Sequence, residues 1–290
     1  MTAQKRGVDA ATGIETTGHE WDGVKELNKP LPRWWLLTFY ATVVWAIGYW
    51  VVYPAFPTRV GYTRGTLGYS QRATVADEVR TALAAQGRLR EKLAAVSLDE
   101  IEREPDLLRF AMAGGAAAFQ TNCAPCHGRG AQGFVGYPNL NDDDWIWGGT
   151  IEDIHKTISN GVRSDHNDAR TTQMPRYGLD KLLEDAQITD AAEYVLSLSG
   201  RSTDAAAANR GQTLFADQCA SCHRVDGKGK QDQGAPNLSD DIWLYGGSKQ
   251  AVVESIRTGR GGMMPAWVDR LDPVTIKMLA VYVHSLGGGK

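Results

Sequence analysis

The sequence predicts a mainly α-helical protein with one N-terminal transmembrane helix followed by two tandem copies of a small helical domain. Three observations lead to this fold class: an uncharged apolar run, an ordered internal repeat, and the lack of strand alternation or a G-x-G-x-x-G loop in either copy. The 290 residues suffice for about two domains. The formal net charge of −3 argues against the strongly basic surface that nucleic-acid binding requires.

The first predicted element is a membrane anchor. No charged residue occurs from Trp34 to Pro57, and the 20 mostly apolar positions up to Tyr53 match a hydrocarbon core of about 30 Å. Aromatic residues at both ends are typical of the two membrane interfaces. A buried core helix and a cleavable signal peptide are weaker alternatives, because the run is long and a charged tail precedes it. Three basic residues on each side leave the orientation open.

Two helices are predicted between the anchor and the repeat. Apolar residues recur at intervals of three, four or seven over residues 74–96, which predicts one amphipathic helix. Ser97 and Glu100 then have the spacing of a capping box, which predicts the start of a short helix that ends near Pro105.

The remainder of the chain contains one pattern twice. The pattern F-x-x-x-C-x-x-C-H begins at Phe119 and, 96 residues later, at Phe215. Pro-Asn-Leu, a Trp/Tyr-Gly-Gly run, Met-Pro and Tyr-Val follow in the same order in both copies, with small changes in spacing. This order predicts two copies of one domain that differ by loop insertions. The predicted segments are an N-terminal tail (1–33), the anchor (34–57), a helical linker (58–105), domain 1 (106–200) and domain 2 (208–290).

The C-x-x-C-H pattern carries the chemistry. Two thiols on one helical turn form thioethers to one edge of a haem, and the adjacent histidine ligates the iron. Two occurrences use all four cysteines and predict two covalently bound haem c groups. Zinc would favour cysteine pairs closer in sequence, and dithiol exchange would favour a βαβ context, so both are weaker interpretations. The predicted haem residues are Cys123, Cys126, Cys219 and Cys222, with His127 and His223 as axial ligands.

A methionine in each copy is the candidate for the sixth iron ligand. Met174 and Met264 both precede proline at matching places, and Met263 is the alternative to Met264. His/Met coordination would fill both irons, which favours electron transfer over catalysis, so no catalytic residue is predicted. Which methionine serves which haem stays open, because the two domains could interlock.

An N-terminal anchor followed by two C-x-x-C-H domains of the class I cytochrome c kind resembles the di-haem subunit of cbb3-type cytochrome c oxidases, called CcoP or FixP. The runs T-G-H-E-W-D-G (17–23) and L-P-R-W-W (31–35) are similar to that family as well. The resemblance covers almost the whole chain. It also implies that Pro138 and Pro236 offer their carbonyl oxygens to the axial histidines.

The resemblance implies a role in respiration. The chain would accept electrons from a donor cytochrome c and pass them through two haems to the mono-haem subunit and the catalytic subunit. Oxygen reduction and proton pumping would belong to those partners. The family attaches haem outside the bacterial inner membrane, which implies a single-pass protein with a cytoplasmic N-terminus and periplasmic haem domains.

Two other functions stay open at this point. A di-haem peroxidase would require one iron without a fixed sixth ligand. A free-standing, membrane-anchored electron carrier would need neither the N-terminal tail nor the predicted amphipathic helix.

Overall fold

The computed structural model describes residues 7–287. The fold is mainly helical and consists of two compact units, the first ending at Ala85 and the second beginning at Gln86. The first unit begins with an antiparallel hairpin of strands β1 (Thr16–Trp21) and β2 (Val24–Leu27). Its two-residue turn is Asp22-Gly23, with positive φ angles of 50° and 84°, and this dipeptide favours that tight turn. This hairpin is not among the elements predicted from the sequence.

Helix α1 spans Arg33–Val52 and begins one residue before the predicted anchor. None of its residues is buried within the protein. Its 20 residues extend about 30 Å, and it is the described helix that is long and apolar enough to cross a membrane. Two short strands, β3 (Pro57–Thr58) and β4 (Gly61–Tyr62), pair after it.

The amphipathic segment predicted over residues 74–96 is divided into two helices, α2 (Gln71–Ala85) and α3 (Gly87–Ala95). The break lies at Gln86 and is followed by glycine, which is among the weakest helix formers. Helix α4 (Leu98–Arg103) starts with the predicted capping box: the Ser97 side chain accepts from the Glu100 amide, and the Glu100 carboxylate accepts from the Ser97 amide. This prediction is confirmed.

Each copy of the repeat forms four helices in the same order, joined by long loops, and the second copy adds a 3₁₀ turn at Gln231–Gln233. In chain order the helices are α5 (Pro105–Asn122), α6 (Ala124–His127), α7 (Ile151–Asn160), α8 (Asp185–Leu198), α9 (Ala205–Gln218), α10 (Ala220–His223), α11 (Lys249–Thr258) and α12 (Pro273–Gly287). In α5 the buried residues Leu107, Ala111, Gly115 and Phe119 recur every four positions, which gives that helix one buried face.

Helix packing crosses between the two sequence repeats. We call the group of α5, α6, α7 and α12 the first core, because α12 packs on α5 and α7. We call the group of α8, α9, α10 and α11 the second core, because α8 packs on α9 and α11. The last helix of each repeat therefore lies in the core of the other repeat. The domain limits 106–200 and 208–290 stay predictions about the sequence repeat.

Candidate haem centres

The two C-x-x-C-H motifs form matching single turns of helix, α6 and α10. The His127 amide donates to the Cys123 carbonyl at 2.9 Å, and the His223 amide donates to the Cys219 carbonyl at 2.9 Å. All four cysteines are free. In each motif the first cysteine caps the short helix, and the second cysteine and the histidine are its last two residues. The two thiols and the imidazole therefore lie within a single turn, as covalent haem attachment requires.

Both candidate axial histidines are held through the same ring nitrogen. Nδ1 of His127 lies 3.0 Å from the Pro138 carbonyl oxygen, and Nδ1 of His223 lies 3.0 Å from that of Pro236. A carbonyl can only accept, so Nδ1 carries the proton and Nε2 keeps its lone pair for a metal. Burial lowers the pKa of both imidazoles, and the hydrogen bonds to the proline carbonyls oppose this effect. The net shift favours the neutral imidazole.

One thiol in each motif is shielded from water. Burial raises the pKa of Cys123 and of Cys219 to about 11 in both cases. The neighbouring Cys126 adds to the effect on Cys123, and Cys126 itself is exposed. The raised pKa favours the protonated form of the shielded thiol in both motifs.

The structure brings each methionine together with the attachment motif of the other repeat. Met264 packs against the hydrophobic cluster that contains Cys123, whereas Met174 packs against the cluster that contains Cys219 as a partly buried member. Met264 is half-buried, and its neighbour Met263 is 68% exposed. The exposure of Met263 leaves Met264 as the better-placed candidate of the pair.

Two half-buried tryptophans, each with a buried indole nitrogen, test whether a haem fits these centres. The indole Nε1 atoms of Trp145 and Trp243 are buried and find no hydrogen-bond partner among residues 7–287. The two residues occupy the same place in the two repeats, and each lies against one of the two clusters. A buried donor without an acceptor is costly, and haem propionates are acceptors. The residues present fit one haem in each core.

Arg163 is a residue that the sequence analysis did not identify. Its Nε donates to the Gly262 carbonyl at 2.7 Å, and its Nη1 donates to the Thr172 carbonyl at 2.8 Å. These acceptors lie two residues before Met264 and Met174, respectively. One guanidinium therefore ties together the two segments that lead to the candidate ligands. Arg163 has a positive φ of 49°, and no motif in the sequence marks this arginine as a residue of the site.

The buried carboxylate of Glu193, which is not among the residues predicted from the sequence, binds the connection between α8 and α9 at the edge of the second core. Glu193 has no exposed surface and forms an ion pair of 2.7 Å with Lys249. Its oxygens also accept from the Ser202 hydroxyl and from the amides of Thr203 and Asp204. Burial opposes ionisation, but these partners outweigh it and lower the pKa of Glu193 to about 2. The connection between α8 and α9 is fixed by this network.

Comparisons with known proteins agree with this architecture. Three family models match: the N-terminal domain of cytochrome oxidase-cbb3, FixP, at residues 13–59; cytochrome c at 112–199; and cytochrome C oxidase, cbb3-type, subunit III, at 206–283.

Curated relatives match over nearly their whole length. The cbb3-type cytochrome c oxidase subunit FixP of Bradyrhizobium sp. (strain ORS 278) is 54% identical over 98% of both chains. The CcoP subunit of Azospirillum brasilense is 52% identical over 97% of this chain and 98% of the relative. That of Cereibacter sphaeroides is 52% identical over 95% of both chains. This membrane-anchored chain, with two cytochrome c regions for two covalently bound haem c groups, therefore belongs to the FixP/CcoP family of cbb3-type cytochrome c oxidase subunits.

Proposed function

We propose that this chain carries electrons from a donor cytochrome c to the mono-haem subunit and the oxygen-reducing catalytic subunit of a cbb3-type oxidase. The duplicated histidine site carries the proposal: His127 and His223 are each oriented by a proline carbonyl at 3.0 Å inside an apolar core. The full-length similarity to relatives named cbb3-type oxidase subunits supports the choice of partners.

Each group of residues has a distinct role in the proposed centres. Bound haem supplies a reversible one-electron iron couple. The four motif cysteines would attach the two groups, and Nε2 of each motif histidine, together with Met174 and Met264, would bind the two irons. Pro138 and Pro236 hold the imidazoles in place, and the two orphaned indoles offer donors to acceptor oxygens. The apolar clusters around the motifs exclude water.

The proposed topology places the N-terminal tail in the cytoplasm, α1 across the bacterial inner membrane and both haem centres in the periplasm. The length of α1 and the absence of charged residues after Arg33 support a single crossing. A thiol introduced at exposed Val225 should react with an impermeant reagent in spheroplasts, whereas one at exposed Trp21 should react only after the membrane is permeabilised. The opposite labelling pattern would overturn this topology.

The electron-transfer role is tested with the assembled complex. The tagged full chain, purified in mild detergent, should bring the mono-haem and catalytic subunits with it. After mixing with reduced donor cytochrome c, both haems of this chain should become reduced and pass electrons on to the oxygen-reducing subunit. Retention in the membrane without those subunits would instead support a free-standing carrier. Reduction of the catalytic subunit by the donor at an unchanged rate when His127→Ala and His223→Ala are combined would contradict the role.

A further inference from the structure

Each candidate axial histidine depends on a loop that runs from its attachment turn to the proline whose carbonyl it meets. We call residues 128–138 the first histidine loop and residues 224–236 the second histidine loop. Near the start of each loop a glycine amide donates to the carbonyl of the histidine itself, from Gly133 at 2.8 Å and from Gly229 at 2.9 Å. At the end of each loop the proline carbonyl lies 3.0 Å from Nδ1. The path of the loop therefore determines where the acceptor for Nδ1 lies.

The second histidine loop makes a closed turn before Pro236. Lys230 and Ala235 donate to each other's carbonyl oxygens at 2.9 and 3.0 Å, and a 3₁₀ turn lies between them. Gly234 ends this turn with a left-handed backbone, at φ 61° and ψ 30°. The indole of Trp147 lies directly on Gly234, because a Cβ atom there would overlap three atoms of its six-membered ring. Trp147 thus covers the turn that leads into Pro236.

Trp147 itself is held by the first repeat. The guanidinium carbon of Arg170 lies over its ring, 5.3 Å from the centroid. Nε of Arg170 donates to the Thr157 hydroxyl at 3.0 Å, and Nη2 donates to Oδ1 of Asp153 at 3.0 Å, so α7 anchors this arginine. A ring that is fixed by residues of the first repeat therefore packs on the loop that orients the histidine of the second.

The first histidine loop is held in a different way. The Gly136 amide donates to the Leu244 carbonyl at 2.8 Å, so a backbone hydrogen bond fixes this loop. Tyr245 occupies the place of Trp147, and the guanidinium carbon of Arg260 lies 5.5 Å from its ring centroid. A Cβ atom on Gly136 would lie 3.4 Å from the Tyr245 ring, which is an ordinary contact. The aromatic side chain is therefore more important at the second histidine loop than at the first.

We propose that Trp147 is a positioning residue for the second haem centre. Its ring packs on Gly234 and holds the second histidine loop, and the loop holds the Pro236 carbonyl on Nδ1 of His223. The inference deepens the proposed function and rests on its assignment of His223 as an iron ligand. A carbonyl at Nδ1 makes an imidazole a stronger donor at Nε2, and hydrogen bonds of this kind tune the reduction potential of a metal.

Loss of the Trp147 ring removes the contact that keeps the turn at Gly234 in place. The hydrogen bond from Nδ1 of His223 should then weaken, and the imidazole should donate less electron density, which favours the reduced iron. The reduction potential of the second haem should therefore rise, and the Nδ1 proton should exchange faster with water. The first haem should keep its potential, because its histidine loop retains the backbone bond to Leu244.

The test uses the full, haem-loaded chain. Cys219→Ala leaves the second haem attached by one thioether, so its reduced absorption band moves to longer wavelength and the two haems can be titrated separately; Cys123→Ala is the alternative marker. In either background, Trp147→Leu should raise the midpoint potential of the second haem by about 59 mV, which is a tenfold change in the ratio of oxidised to reduced iron. Exchange of the Nδ1 proton of His223, followed by NMR of the oxidised chain, should become about tenfold faster.

Three further variants separate positioning from a general loss of structure. Trp147→Phe keeps an aromatic ring over Gly234 and should restore most of the original potential. Gly234→Ala places a methyl group against the ring and should raise the potential as Trp147→Leu does, so it also serves if Trp147→Leu does not fold. Tyr245→Leu is the matched control in the other repeat and should leave both potentials unchanged.

An unchanged potential and an unchanged exchange rate at the second haem of Trp147→Leu would overturn this role of Trp147. An equal shift of both haems would overturn it too, because such a shift would show a general loosening of the chain. Neither result would affect the ligand assignment. Failure of that assignment would be seen separately, as the lack of an iron-bound His223 signal in the unmodified chain.

Discussion

The first and second cores share their haem-binding features but are closed in different ways. Both contain an attachment turn, a histidine held by a proline carbonyl, and a helix pair with an aromatic contact. The first core is covered by α3 and α4, whose Leu93 and Ile101 are fully buried in its hydrophobic cluster. The second core is closed by the buried carboxylate of Glu193.

Neighbouring chain segments explain the difference. The first core receives the chain from α3 and α4, and Lys277 of α12 donates to the Leu93, Ala94 and Val96 carbonyls at the end of α3. The second core receives only the short connection from α8 to α9, whose free amides Glu193 satisfies. The proposed haem centres use the shared attachment turn and histidine, whereas the local path of the chain determines how each core is shielded from water.

The largest expected effect comes from removing the apolar cover of the first core. Leu93→Ala should lower the free energy of unfolding by about 4 kcal/mol, because it leaves a cavity in a fully buried cluster. Hydrogen exchange should accelerate in α5 and α12 and stay unchanged in α8 and α9. Leu83→Ala, at an exposed position of α2, is the matched control and should cost less than about 0.5 kcal/mol. Equal acceleration in both cores would show that the cover is not specific to the first.

The close helix contact at a glycine is shared by the two cores, so a side chain added there should destabilise both equally. Gly115→Ala and Gly211→Ala should each cost about 3 kcal/mol, since the added Cβ meets the Met278 carbonyl in one case and the Asp190 carbonyl in the other. Denaturant unfolding of the haem-loaded variants measures both losses. Gly87→Ala, where the new Cβ meets nothing within 4 Å, is the control and should not destabilise the chain. A loss of unfolding free energy in only one of the two variants would show that the α5–α12 and α8–α9 contacts are not equivalent.

The Glu193 carboxylate tests a feature that belongs to the second core and not to the first. Glu193→Gln should cost about 2 kcal/mol at pH 7 and speed exchange in α8 and α9, because it removes a charged partner from Lys249 and the linker amides. The lowered pKa means that the folded state binds fewer protons than the unfolded state. Stability should therefore fall as the pH drops from about 4.5 towards 2, and the variant should lack this loss. A parallel acid response in the variant would contradict this role.

A smaller pH effect of the opposite sign is expected at Asp144. Burial, with the nearby carboxylates of Asp240 and Asp142, raises its pKa to about 6 from an ordinary 3.8. The folded state then binds more protons between these values, so this residue destabilises the protein as the pH rises through them. Asp144→Asn should be more stable than the natural chain by about 1 kcal/mol at pH 7, after allowance for solvent screening, and equally stable near pH 3. Thermal unfolding across this range measures the difference, and a constant gap would contradict the cause.

The sequence was sufficient to predict the features that depend on local spacing. The attachment turns, the uncharged helix and the Ser97–Glu100 capping box follow from patterns within a few residues. The division of the predicted amphipathic helix at Gln86 does not follow from the sequence, because the apolar spacing continues across this position and a single glycine does not by itself end a helix. The Asp22-Gly23 dipeptide is a local signal for a two-residue hairpin turn, so the hairpin of β1 and β2 is also predictable from the sequence.

The exchange of helices could not be read from the sequence because the repeats are alike. Helices α8 and α12 both present a Tyr-Val pair at the same place, so either matches the buried faces of α5 and α9 by pattern alone. Glu193 resembles an ordinary polar helix residue until its partners from the linker and α11 are brought together. The structure therefore adds the contacts between residues that are far apart in the sequence.

A density map of the haem-loaded full chain, resolved to side chains, tests the central claim most directly. It should show continuous density from Sδ of Met264 to the iron whose other axial ligand is His127, with α12 packed on α5. Density from Sδ of Met174 to that same iron would contradict the exchange on which the comparison of the two cores rests.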